Sequence, residues 1–227
     1  MRKWILGVIG TVMLVVLALP GTAAAQMWNL RAYGGWSNSE FYGGSTLLGN
    51  EARNGFSAGL AAEYIRDADD VLGFEFGLAY VDKGAKGRIE YNPVDPESQL
   101  PEDFNFDGTA KLGYIELNLL FVAHVDTGKK TDVKVYLGPS LGNLISASAE
   151  GTADGEDVDE DIKDSLNTFD FGVTAGASFV YELEKFSLVL DARAIMGGTS
   201  ISKDELSSDL KTRTFLVLAG IEIPLAK

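Results

Sequence analysis

Residues 111–145 read KLGYIELNLLFVAHVDTGKKTDVKVYLGPSLGNLI, and the reading of this stretch decides the fold. Ile115, Leu117, Leu119, Phe121, Ala123 and Val125 fall on one face, with Tyr114, Glu116, Asn118, Leu120 and His124 on the other. That is the period of two of a β-strand. A polar turn over Asp126 to Thr131 follows. In the second arm Val133, Val135, Leu137, Leu141 and Ile145 alternate with Lys134, Tyr136, Gly138, Ser140 and Gly142. The hairpin has one oily side and one small, polar side, so its register is set by where each side must go.

Working toward the N-terminus, the same alternation gives strands over Trp28–Ser37, Gly55–Ile65 and Leu72–Tyr80. Toward the C-terminus it gives strands that run from Phe169 to Tyr181, Phe186 to Met196 and Thr214 to Leu225. The expected architecture is all-β: an eight-stranded antiparallel up-and-down barrel spanning roughly Trp28 to Leu225. Connections alternate in length, with turns at Arg66–Asp70, Asp126–Thr131 and Leu183–Lys185 against long stretches such as Asn38–Asn54. Short turns at one end and long loops at the other are the plan of a transmembrane barrel of the outer membrane. The segment from Tyr80 to Lys111, with Pro93, Pro96 and Pro101, reads as a long loop, and the acidic run Glu150–Asp164 reads as a solvated, mobile one.

Alternation does not say which face is outside, because a soluble ligand-binding barrel alternates too. Composition separates the two. The polar face carries Gly35, Gly59, Gly73, Gly77, Gly138, Gly142, Gly172, Gly176, Gly197 and Gly220. Water-facing strands are depleted of glycine, whereas a narrow lumen needs small residues between a few large ones. On the apolar face, aromatics gather near strand ends: Trp28, Tyr64, Phe74, Tyr181 and Phe186 by the turns, Trp36, Phe56, Tyr80, Phe169 and Phe215 by the loops. They form two interfacial girdles.

The N-terminus fits an envelope address. Arg2 and Lys3 precede the apolar run Trp4–Leu19, then Pro20-Gly21 and Ala23-Ala24-Ala25, the layout of a secretory signal peptide cut after Ala25. Residues 1–25 are therefore expected to be a leader and 26–227 one barrel domain in the outer membrane. The 227-residue chain has no cysteine, which removes disulfides from consideration. Its 33 acidic residues outnumber 19 basic ones, so no nucleic-acid partner is expected. The expected partners are outer-membrane lipid, the barrel-assembly machinery during biogenesis, and an unidentified extracellular partner for the loops.

Tyr114-Ile115-Glu116-Leu117-Asn118-Leu119-Leu120, Leu137-Gly138-Pro139-Ser140-Leu141-Gly142, Phe171-Gly172 with Gly176, and Asp191-Ala192-Arg193 together resemble the PorT-like outer-membrane barrels, often labelled small porin-family proteins. Asn118 stands where that family commonly has proline. The resemblance implies an eight-stranded barrel of the bacterial envelope; one of its members serves a secretion apparatus, and no functional residues carry over.

Two constellations could carry chemistry. Arg31, Glu63, Glu75, Glu116, Lys134, Asp170, Asp191, Arg193 and Glu222 fall on the inward face. They read as an internal salt-bridge network, with an ion path as the alternative, and Arg31 and Glu222 are placed to pair across the closing seam. Asp103, Asn105, Asp107 and Gly108 match the opening of a calcium loop, but Tyr114 occupies the twelfth position, where a bidentate glutamate is needed. Calcium is the one cofactor the sequence raises, and a solvated loop is the plainer reading. The single histidine, His124, reads as an isolated polar residue at a strand end. No nucleophile is arranged around it, and the expectation is a non-enzymatic protein whose function is surface interaction or structural support, with a narrow channel, a lipid-active enzyme or a secretion-complex component as alternatives.

Overall fold

A computed structural model describes residues 27–43, 51–65, 71–90, 105–128, 130–153, 156–203 and 209–225. Residues 1–25, expected to be a leader, and the proline-bearing stretch 91–104 lie outside them. Among the described residues nine strands form in chain order: β1 (Met27–Tyr42), β2 (Glu51–Ile65), β3 (Leu72–Glu90), β4 (Asn105–Gly128), β5 (Thr131–Ala153), β6 (Glu156–Asp161), β7 (Phe169–Glu182), β8 (Ser187–Gly197) and β9 (Lys211–Pro224). All but β6 make the wall. Each pairs antiparallel with its neighbours, and β1 pairs with β9 to close an eight-stranded barrel.

Exposure settles which side is which. Leu60 is 66% exposed, Phe121 64% and Leu190 58%, whereas Glu75, Glu116 and Lys83 are each 1% exposed. A soluble barrel would show the reverse. The lumen holds the charges and the outer wall is an apolar band, the arrangement required where lipid surrounds a closed backbone ladder. At the turn end, the rings of Trp28 and Tyr64 lie 5.2 Å apart and those of Phe74 and Phe121 5.1 Å. At the loop end, Phe56 and Tyr80 are 5.1 Å apart, and Trp36 meets Phe215 at 6.5 Å.

The strands outrun the alternation that marked them. β3 continues from Tyr80 to Glu90, β4 begins at Asn105, and β1 and β2 reach Tyr42 and Glu51, which shortens the first loop expected over Asn38–Asn54. The acidic run is corrected most: β5 extends to Ala153, and β6 folds back on it with Ser148 opposite Asp161 and Ala153 opposite Glu156. Once a hairpin rises past the lipid both its faces meet water, so hydropathy no longer alternates while the backbone ladder goes on.

Glycine spacing has a steric basis. A Cβ on Gly59 would lie 2.8 Å from the Tyr33 hydroxyl and one on Gly176 2.6 Å from that of Tyr136, so each glycine makes room for a large neighbour. Gly35 departs from this pattern: it is exposed, and a Cβ there would lie 2.2 Å from the Val217 carbonyl oxygen. At Gly138 the wall itself is tight. The β4–β5 register passes from Asn118 opposite Ser140 to Phe121 opposite Leu137, and a Cβ on Gly138 would come within 1.9 Å of the Leu119 carbonyl oxygen. Gly138→Val is therefore expected to destabilise the barrel by about 1–3 kcal/mol, read as a lower urea midpoint in detergent and a smaller fraction of the compact, heat-modifiable form.

Candidate functional site

The inward faces of the eight wall strands converge on a buried polar network. Strand register decides who meets whom. Arg31 on β1 lies opposite Glu222 on β9, and its Nε and Nη2 donate to Glu222 Oε2 at 3.1 and 3.0 Å. The same guanidinium reaches Glu75 Oε2 at 3.2 Å and Asp191 Oδ2 at 3.4 Å. Lys134 Nζ donates to Glu63 Oε2 at 2.6 Å and to Glu222 at 2.8 and 2.9 Å. Arg193 makes a two-pronged contact with Asp191 at 2.8 and 2.9 Å, and Ser178 Oγ donates to Asp191 at 3.0 Å. Its guanidinium carbon lies 4.9 Å from the centre of the Tyr33 ring and 5.2 Å from that of Tyr136. The two rings supply the cation–π contacts open to a weakly hydrated guanidinium.

A second cluster lies nearer the loops. Lys83 pairs with Glu116 and Asp170, the latter at 3.3 Å, and its ammonium is 4.6 Å from the Tyr114 ring centre. Asp170 also accepts from Thr212 at 2.9 Å and Thr199 at 3.2 Å, while Thr174 donates to Asn118 at 2.9 Å. Glu116 and Asp170 therefore belong to a group separate from the one around Arg31.

Lys83 is missed by a reading that ends β3 at Tyr80. Extending the inward series Gly73, Glu75, Gly77, Ala79 by two-residue steps reaches it, through Val81. His124 is likewise not isolated. Its Nε2 lies 2.7 Å from Glu63 Oε1 and its Nδ1 2.7 Å from Asp132 Oδ2. Both partners are carboxylates, so an imidazolium donating from both nitrogens meets them best. His124 thus joins Asp132, at the turn end, to the buried Glu63–Lys134 pair.

Apolar side chains fill the space the charges leave. Tyr33, Ala61, Ala79, Val81, Ile195, Leu216 and Leu218 pack around the Arg193 level. Toward the loops, Phe41, Ala85, Leu112, Tyr114, Leu144, Ala147 and Ile201 form a buried cap, with Ile162 and Leu166 against it. Leu120, Val122 and Tyr136 pack toward the turns.

The calcium-loop residues are placed differently from that pattern. Asp103 lies outside the described residues. Asn105 and Asp107 sit on an extended strand, opposite Glu90 and Arg88, and Gly108 is paired with both Gly87 and Gly151 instead of turning the chain. An extended backbone spreads alternate oxygens along a line, where a calcium loop must curl them around one point. Among the described residues no group of three or more histidine and carboxylate side chains is arranged to hold a metal ion.

Residues 23–202 match the family model described as the outer membrane protein beta-barrel domain. The chain belongs to that family. Its place is accordingly the outer membrane. The fold is similar to a major outer membrane protein from Thermus thermophilus, at 15% identity over 88% of this chain and 100% of that one, with a TM-score of 0.50. Neisserial surface protein A aligns at 19% identity over 86% of this chain and 96% of its own, with a TM-score of 0.41. The outer membrane protease OmpT from Escherichia coli aligns at 6% identity over 92% and 99%, with a TM-score of 0.37. At such identities the likeness is one of fold alone. No curated protein matches the sequence.

Removing one partner from a buried, desolvated pair costs far more than the pair contributes. Lys134→Met leaves Glu63 and Glu222 short of a cation and is expected to cost about 3–5 kcal/mol, with part of the loss recovered in Lys134→Met/Glu63→Gln. Urea unfolding of the four proteins of that cycle in one detergent measures both numbers.

Proposed function

We propose that this barrel is a non-enzymatic envelope protein with a plugged lumen, acting at its loop end in surface interaction or structural support. One observation carries the reading: the lumen is occupied by ion-paired charges and apolar layers, with Arg31 3% and Arg193 2% exposed. A solute path would have to pass both. Burying that many charges is tolerable only if they are paired and hydrogen-bonded, which consumes the polar groups a conducting pore would leave free for water.

A structural role for the polar interior is supported further by His124, both of whose ring nitrogens are taken up by carboxylates. General-base chemistry needs a ring nitrogen free to take a proton from a nucleophile. The finer resemblance to PorT-like proteins, on Tyr114–Leu120 and Leu137–Gly142, makes a secretion assembly one partner to test by co-purification from membranes. Export with cleavage after Ala25 belongs to the same reading, with Gln26 as the N-terminal residue of the mature protein.

Mature protein extracted in detergent is expected to shift in mobility between boiled and unboiled samples and to stay silent in planar bilayers. Steady unitary conductance would replace this reading with a narrow channel for ions or small solutes. Solubility without detergent, and no shift, would remove the membrane altogether.

A further inference from the structure

β6 is the last strand of the sheet: it pairs with β5 on one side, and among the described residues no strand pairs with its other edge. It also stands clear of the lipid. Tyr80 of the loop-end girdle lies opposite Ile115, which lies opposite Asn143 on β5, and β6 joins β5 only from Ser148 onward. At about 3.3 Å per residue, that sets β6 roughly 15 Å along the strand beyond the girdle. Asp157, Val158, Asp159, Glu160 and Asp161 are all exposed, so neither face of the strand is covered.

The ladder itself says which backbone groups are left over. Ile162 N–H donates to the Ala147 carbonyl at 3.2 Å, one position beyond the pairing of Asp161 with Ser148. Bonded and non-bonded pairs alternate along an antiparallel ladder. Val158 and Glu160 therefore spend their backbone groups on β5, whereas the N–H and C=O of Asp157, Asp159 and Asp161 point away from it. The side chains of those three residues share one face. Each outward-pointing donor and acceptor pair on this edge thus comes with a carboxylate.

Asp161 is partly spoken for, since it accepts from the Lys163 backbone N–H at 2.9 Å. Asp159 lies opposite Glu150, a like charge that is already paired with Lys111, and Asp157 lies opposite Thr152. Among the described residues neither Asp157 nor Asp159 has an ion-pair partner. Charges on a strand edge ordinarily keep other chains away. A single sign is selective, however, because like charges set directly opposite destabilise a sheet and opposite charges stabilise it. A second copy of β6 would bring aspartates against aspartates. An extended chain with a cation at every second residue meets the same edge with the sign that fits, and strand addition supplies its main-chain bonds.

We infer that the outer edge of β6 docks an extended basic segment of another protein, which adds an antiparallel strand and sets lysine or arginine at alternate positions against Asp157 and Asp159. The inference rests on the proposed reading, that the loop end faces outward and serves surface interaction. Backbone pairing gives the segment its register, and the aspartates select its charge. Because the backbone groups of the aspartates point at the newcomer, its basic residues are the ones whose N–H and C=O must point back.

The test uses the mature barrel purified in a non-ionic detergent and a short fluorescein-labelled peptide that alternates lysine with threonine, with binding read by fluorescence anisotropy. Wild type binds it saturably. N-methylation of the lysine backbone nitrogens weakens binding at least tenfold and N-methylation of the threonine nitrogens leaves it unchanged, while a peptide of equal composition with its lysines in one block also binds at least tenfold more weakly. Asp157→Asn/Asp159→Asn loses at least tenfold with heat-modifiable mobility unchanged, and Glu182→Gln/Glu184→Gln at the opposite rim has no effect. No saturable binding to wild type, equal binding of the blocked peptide, equal effects of the two N-methylations, or equal binding by the aspartate variant would each overturn the inference. Orientation is checked separately by labelling Thr152→Cys in intact cells with a membrane-impermeant maleimide. The chain has no other cysteine. Absence of labelling refutes the outward loop end, whereas labelling without peptide binding refutes the docking edge alone.

Discussion

The rest of this structure depends on closure. In hydrocarbon an unpaired backbone N–H or C=O has no water to turn to, so a sheet that crosses a membrane can have no free edge. Here the seam is made by β1 and β9, and it is stitched twice, once by the backbone ladder and once inside by Arg31 against Glu222. Closure turns one face of every strand inward. Eight strands enclose little more than their own side chains, so the inward residues must fit each other sterically and electrically with almost no solvent to mediate.

That constraint explains the division of labour inside. Charges are grouped around two centres, Arg31 with Lys134 and Arg193 in one and Lys83 in the other, each cation touching more than one carboxylate. Aromatic rings cover the guanidinium of Arg193 where carboxylates do not. Among the described residues the buried set contains six acids and four bases, Lys83 among the latter, and His124 bridges one of those acids, Glu63, to the half-buried Asp132. Glycine is the spatial counterpart of the same economy.

How much of this was legible in the sequence follows from where each signal arises. Period-two alternation is produced by a wall with lipid on one side and packed lumen on the other, so the strands were readable between the girdles and unreadable above them. Glu156–Asp161 is the clearest case: five acids and a valine carry no hydropathic signature of a strand, yet their backbones pair with β5 because its edge is available. Inward residues of the lumen could be named individually, since facing is a property of parity. Apart from Arg31 with Glu222, which the closing seam itself sets side by side, their grouping could not, because it depends on strand stagger, and parity says nothing of height along the barrel. His124 shows the same limit, for Glu63, 61 residues away, is brought to it only by the closed sheet.

Arg31 and its seam partner are 191 residues apart in the chain. The cation belongs to the first strand and the anion to the last, so the inner stitch of the seam is absent for as long as the last strand is missing. Loop-closure entropy makes such a distant contact slow to form, and until it forms β1 and β8 each lack a ladder partner on one edge. A chain halted before β9 would thus expose two unpaired strand edges to hydrocarbon, with Arg31 held by Glu75 and Asp191 alone. Completion of synthesis is thereby written into the energetics of insertion: the barrel has reason to enter the membrane whole, and a truncated copy has reason to stay out.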